Sequence, residues 1–74
     1  MQINYNKLKG RIVEMCGTQG KFAHAMGMSE RTVSLKLSGK TPWKQTEIVK
    51  TAQVLELADE DIQSYFFTTK VQNF

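Results

Sequence analysis

Arg31 and Ser34 stand three residues apart in the run SERTVSLKL, and Leu35 follows Arg31 by four. Residues at those intervals share one side of a helix. A helix here would therefore present a guanidinium, a hydroxyl and an apolar tip together. A guanidinium can pair bidentately with guanine O6 and N7 for about 1–3 kcal/mol of discrimination, and an apolar tip suits a thymine methyl. Ser29 and Glu30, just ahead, add a hydroxyl and a carboxylate able to accept from cytosine N4 or to hold Arg31 in place. Plainer roles stay open: Arg31 can bridge to Glu30 or to a phosphate, and Leu35 can fill part of a core. Lys21, Lys36, Lys40 and Lys44 surround the run. Their ammonium groups can neutralise phosphates, which gives affinity and register without reading sequence.

Other chemistries find little to work with. There is one histidine, His24, and one cysteine, Cys16. With no second imidazole or cysteine pair, a metal site is not expected. No glycine-rich phosphate loop and no paired inward carboxylates are present, so we expect neither an enzyme nor a cofactor. A lone cysteine excludes an internal disulfide framework and suits a reducing cytosol. No apolar run reaches the length of a membrane span, and the start does not read as a signal peptide.

Charge is unevenly spread. Residues 1–50 hold nine Lys/Arg against three Asp/Glu, whereas residues 51–74 hold one against four. The first part attracts polyanions and the second repels them, although a chance bias on a solvated surface would look the same.

The elements that must hold these residues are legible as helices. Tyr5, Leu8, Ile12 and Met15 form an apolar stripe ended by Gly17. Gly10 interrupts that helix at up to about 1 kcal/mol relative to alanine, which would be explained by another backbone passing close. Thr18 can cap a second helix over about 19–26, with Phe22, Ala23 and Met26 inward and Gly27 at its end. Ser29 can cap a third, about 30–37, with Val33 and Leu37 buried and Gly39 closing it. Pro42 keeps the next stretch a loop. A fourth helix is expected over about 45–57 with Ile48, Ala52 and Leu55 inward. Trp43 either anchors that helix in the core or donates its indole N–H to a phosphate. Asp59, Glu60 and Asp61 then cap a helix N-terminus, where negative charge is favoured, leading into Ile62, Tyr65 and Phe66. Past that point Phe67, Thr69 and Val71 alternate as a short strand would.

The second and third helices meet at a corner, with Ala23, Gly27 and Val33 at successive intervals of four and six. A small residue lets the helices approach, a glycine takes the left-handed conformation of the turn, and a β-branched residue plugs the next helix into the core. A short helix, a corner and a protruding helix make the geometry of a helix-turn-helix reader. A helical hairpin within another bundle would share that spacing.

The stretch TQGKFAHAMGMSERTVSLKLSGKTPW resembles the helix-turn-helix core of phage repressor and Cro proteins. EIVKTAQVLEL and DIQSYFF resemble the last two helices of that lambda-repressor-like domain. The resemblance covers about residues 4–67 and is strongest to small Cro-like and modulator-of-repression proteins of temperate phages of Gram-positive bacteria. It implies an all-α, compact five-helix domain over 1–67, with the motif at 18–38 and a C-terminal tail at 68–74. It implies base reading by Ser29, Glu30, Arg31 and Ser34, beside which the helix spacing sets Leu35. Thr18, Gln19, Lys21, Lys36, Lys40 and Lys44 are then expected at the DNA backbone, with Gln19 on a phosphate that braces the third helix. Two positions depart from the pattern: Glu30 replaces a frequent glutamine, and Lys36 stands where relatives often bury an aliphatic side chain.

The expected function is a sequence-specific, double-stranded DNA-binding transcriptional regulator, Cro-like, that represses by occupying operator DNA in the bacterial cytoplasm. A homodimer is the natural way to reach operator affinity, with the C-terminal segment as candidate interface. That tail could equally pack back on its own domain. The alternative is an antirepressor or modulator that binds a partner phage repressor protein through the acidic second part and the tail.

Overall fold

Ten buried side chains drawn from the whole length of the chain make one core, and five helices are arranged to supply them. Tyr5, Leu8, Ile12, Phe22, Ala23, Met26, Val33, Leu37, Leu55 and Phe66 are each at most 8% exposed. The computed structural model describes residues 3–67. Its helices are α1 (Asn6–Cys16), α2 (Gln19–Met26), α3 (Glu30–Leu37), α4 (Gln45–Val54) and α5 (Ile62–Phe66), with a 3-10 turn, Asp59–Asp61, leading into α5. The five-helix, all-α expectation holds. The alternating tail beyond Phe67 lies outside the described residues.

Local chemistry sets most of the boundaries. Thr18 Oγ1 accepts from the Lys21 amide at 3.1 Å, and Ser29 Oγ accepts from the Thr32 amide at 3.1 Å. Each supplies a partner to an otherwise orphan first-turn donor, for about 1 kcal/mol. Gly27 sits at φ 72°, where the Met28 amide reaches back to Ala23 O at 2.9 Å. Gly39 at φ 81° does the same for α3, with the Lys40 amide on Leu35 O at 3.0 Å. Both are helix ends that need a left-handed residue.

Three expectations are corrected. The fourth helix stops at Val54, because Glu56 takes φ 55° and the Leu57 amide bonds Ala52 O at 2.8 Å. Its burial is correspondingly different: Leu55 and Thr51 are fully buried, while Ile48 and Ala52 are only half-buried. Among the described residues no backbone passes near Gly10, where an added Cβ would meet nothing within 4 Å. And the acids before α5 make no side-chain capping bond; Ala58 and Asp61 precede the turn and α5 without one.

The ends of the domain are tied together. Arg11 Nε donates to Leu55 O at 3.1 Å, joining α1 to the end of α4. Lys7 Nζ reaches Ser64 Oγ at 3.0 Å and lies 4.6 Å from the Tyr65 ring centre, joining α1 to α5. Trp43 is half-buried between Tyr5 and Phe66, with ring centres 6.4 Å and 5.2 Å away. It anchors the loop before α4. Its indole nitrogen is buried with no hydrogen-bond partner among the described residues, so donation to a phosphate is closed off by its burial.

Candidate functional site: the outer face of α3 and its surroundings

The corner between α2 and α3 forms as its residue types require. Ala23 is 1% exposed and Val33 is fully buried, so the two helices meet over a small side chain and are fixed by a β-branched one. This leaves the opposite side of α3 in solvent: Glu30, Arg31 and Ser34 are all exposed, and Leu35 is half-buried. Arg31 and Ser34 share one side of the helix, one turn apart. Ser29 is exposed, but its hydroxyl is engaged as the cap and also donates to Thr32 Oγ1 at 2.9 Å.

Glu30 does not extend straight outward. Its carboxylate lies over the first turn of α2, where a Cβ on Gly20 would sit 2.8 Å from Oε1. Sequence reasoning passed over Gly20; its lack of a side chain admits this carboxylate. Negative charge is favoured at a helix N-terminus, so Glu30 joins the start of α3 to the start of α2. It also places an anion beside the surface on which a phosphate was expected.

The expected phosphate contacts divide. Thr18, Lys21, Lys40 and Lys44 are exposed around the corner and the loop after α3, and Gln19 is half-buried in the first turn of α2. Lys36 is a correction. It is 3% exposed, and its Nζ donates to Pro42 O at 2.9 Å and pairs with Glu47 Oε1 at 2.8 Å. The ammonium also lies 5.9 Å from the Trp43 ring centre. Lys36 shares the inward side of α3 with Val33 and Leu37, so its long stem packs inside and its charge must be met there. It cannot reach a DNA backbone.

Glu47 is the residue that sequence reasoning missed. The same Oε1 accepts the Lys44 amide at 2.8 Å, closing the first turn of α4. Burial pushes this carboxyl up, but the hydrogen bonds from Lys36 and the Lys44 amide outweigh it and hold the group below its usual value. A visible signal existed: glutamate three residues after the start of a helix is a common first-turn cap. Nothing in the spacing tied it to Lys36, eleven residues earlier.

A second feature is formed by other elements. α4 and α5 enclose a groove of about 660 Å³ lined largely by apolar side chains, among them Val49, Ala52, Ile62 and Phe67, with Asp59 at its rim. Among the described residues, no group of three or more His, Cys, Asp or Glu could hold a metal ion.

Comparison with known proteins gives a consistent placement. No curated protein matches the chain. Among solved structures, the solution structure of the modulator of repression (MOR) of the temperate bacteriophage TP901-1 from Lactococcus lactis is similar over 97% of each chain, at 57% identity and a TM-score of 0.81. Residues 1–69 match a family described as a protein of unknown function, DUF739, and it is to this family that the chain belongs.

Proposed function

We propose that this protein regulates repression in a temperate phage by binding a partner repressor, and that occupying operator DNA unaided is not its main activity. The observation that carries this reading is the state of the α3 outer face. Its exposed charges are Glu30 and Arg31, which cancel, and the third charge of the helix, Lys36, is internal and paired with Glu47. Operator affinity rests heavily on phosphate neutralisation, and this helix exposes one cation, Arg31, against one anion, Glu30. The likeness to a phage protein named a modulator of repression supports the same reading. No helix of the described residues is long and apolar enough to cross a membrane, and the repressor would be met in the host cytoplasm.

Direct DNA reading is retained as a second activity because Arg31 and Ser34 stand exposed one turn apart, with Lys21, Lys40 and Lys44 around them. In a mixed complex that face would alter the DNA preference of the repressor. It would be a contributor there and insufficient alone.

The test is a pair of titrations of the isolated protein, one against the purified repressor of the same phage and one against a labelled duplex of the phage's regulatory region. We expect a stable complex with the repressor. For the duplex we expect a dissociation constant no better than the nonspecific range of about 10⁻⁴–10⁻⁶ M, with a log–log salt slope of roughly −3 for three lysines. Nanomolar, sequence-selective binding to the duplex without repressor would overturn the proposal.

A further inference from the structure

α4 carries more apolar surface than the core uses. Its inward side is supplied by Thr51 and the adjoining Leu55, both fully buried, with Ile48 and Val54 packed partly against the core. A second, short apolar stripe of Ile48, Val49 and Ala52 follows one face of the helix and is flanked by Gln45 and Gln53. Those five residues all line the α4–α5 groove. Val49 is 53% exposed and, across the groove, Phe67 is 51% exposed. A solvent-facing helix gains nothing from a second apolar stripe unless something covers it.

From this groove we infer the docking surface for the partner repressor, the occupant being an amphipathic helix with apolar anchors flanked by lysine or arginine. The inference rests on the proposed function and names the surface that would perform it. Shape supports a helix: an open apolar channel along one helix accepts another through residues at i, i+3 or i+4, and i+7. Charge supports a basic one. Asp59 is the only charged side chain lining the groove among the described residues, and Glu60 and Asp61 come next in the 3-10 turn. A DNA-binding partner is expected to be basic, so the acidic rim that would repel DNA attracts the protein that binds it. A second copy of this chain is the poorer occupant. Groove against groove, it would bring a second acidic rim to the first, and its remaining exposed large hydrophobics among the described residues, Ile3 and Val13, do not share a helix.

The experiment uses the full chain and the purified repressor of the same phage. Wild type, Val49→Asp and Asp59→Lys are titrated by calorimetry, sized alone by sedimentation, and checked for folding by thermal melting. Val49 and Asp59 are exposed, so the melts should coincide. We expect Val49→Asp to weaken the complex at least about tenfold, and Asp59→Lys to weaken it several-fold with a flatter salt dependence. An undiminished complex with both variants overturns the groove assignment and leaves the functional proposal standing, all the more so if Arg31→Ala abolishes binding instead. A wild-type chain that forms no complex sinks the functional proposal, and the groove assignment with it. A wild-type homodimer that Val49→Asp dissociates would replace the repressor helix with a second copy and overturn the occupant named here.

Discussion

Lys36 and Glu47 show how one residue can be misplaced by composition and placed by packing. A lysine beside an exposed arginine on a basic helix reads as a phosphate contact, yet its position one turn after Val33 turns it inward. A buried ion pair costs much of its attraction in desolvation, but removing one member leaves the other without compensation. Lys36→Met should therefore destabilise the fold by about 2 kcal/mol, since Glu47 is partly shielded and not wholly buried. Lys36→Met combined with Glu47→Gln, which keeps an oxygen for the Lys44 amide, should return to within about 1 kcal/mol of wild type. Denaturant unfolding of the three variants checks this. The same carboxylate makes a pH prediction. Its native pKa is held below its ordinary value, so its stabilising effect is complete at neutral pH. That effect is lost as pH falls below about 4.3 and through the depressed native value. The stability gap between wild type and Glu47→Gln should be constant above about pH 5 and shrink below about pH 4.

At the scale of elements, what the sequence made legible was whatever a glycine or a capping hydroxyl announces. Gly17, Gly27 and Gly39 end α1, α2 and α3, and Thr18 and Ser29 start α2 and α3 by the bonds expected of them. The stop of α4 was not legible because Glu56, which carries no such signal, holds the left-handed position. A β-carbon there is strained by roughly 1 kcal/mol, so Glu56→Gly should raise stability by up to that amount. Gly10 gives the converse. Nothing among the described residues approaches its missing side chain, and Gly10→Ala should stabilise α1 by about 0.5–1 kcal/mol. Thermal melts of both variants test these signs, and a loss of stability in Gly10→Ala would mean that a neighbour does come close. The outer face of α3 was legible as exposed because Val33 fixes which side is inward. The Glu30 contact with α2 was not, since it depends on an angle between two helices that no interval within one of them records.

On the scale of the whole molecule, the uneven charge has a structural counterpart. Exposed Lys21, Lys40 and Lys44 stand around the α2–α3 corner and the loop after it, whereas Asp59 lines the apolar α4–α5 groove with Glu60 and Asp61 next in the chain. Such a division suits a protein that meets a basic partner with one side and comes near nucleic acid with the other. It also explains why residue types alone favoured an operator-binding reading: they count cations without showing that Lys36 is internal and that the Glu30 carboxylate lies over the start of α2. The most direct test of the account is a footprint of the repressor on its operator, taken with and without this protein. The account predicts that adding the protein weakens or reshapes the repressor footprint while the protein alone leaves the DNA unprotected. Protection of the operator by this protein alone, with the repressor footprint unchanged when both are present, would contradict it.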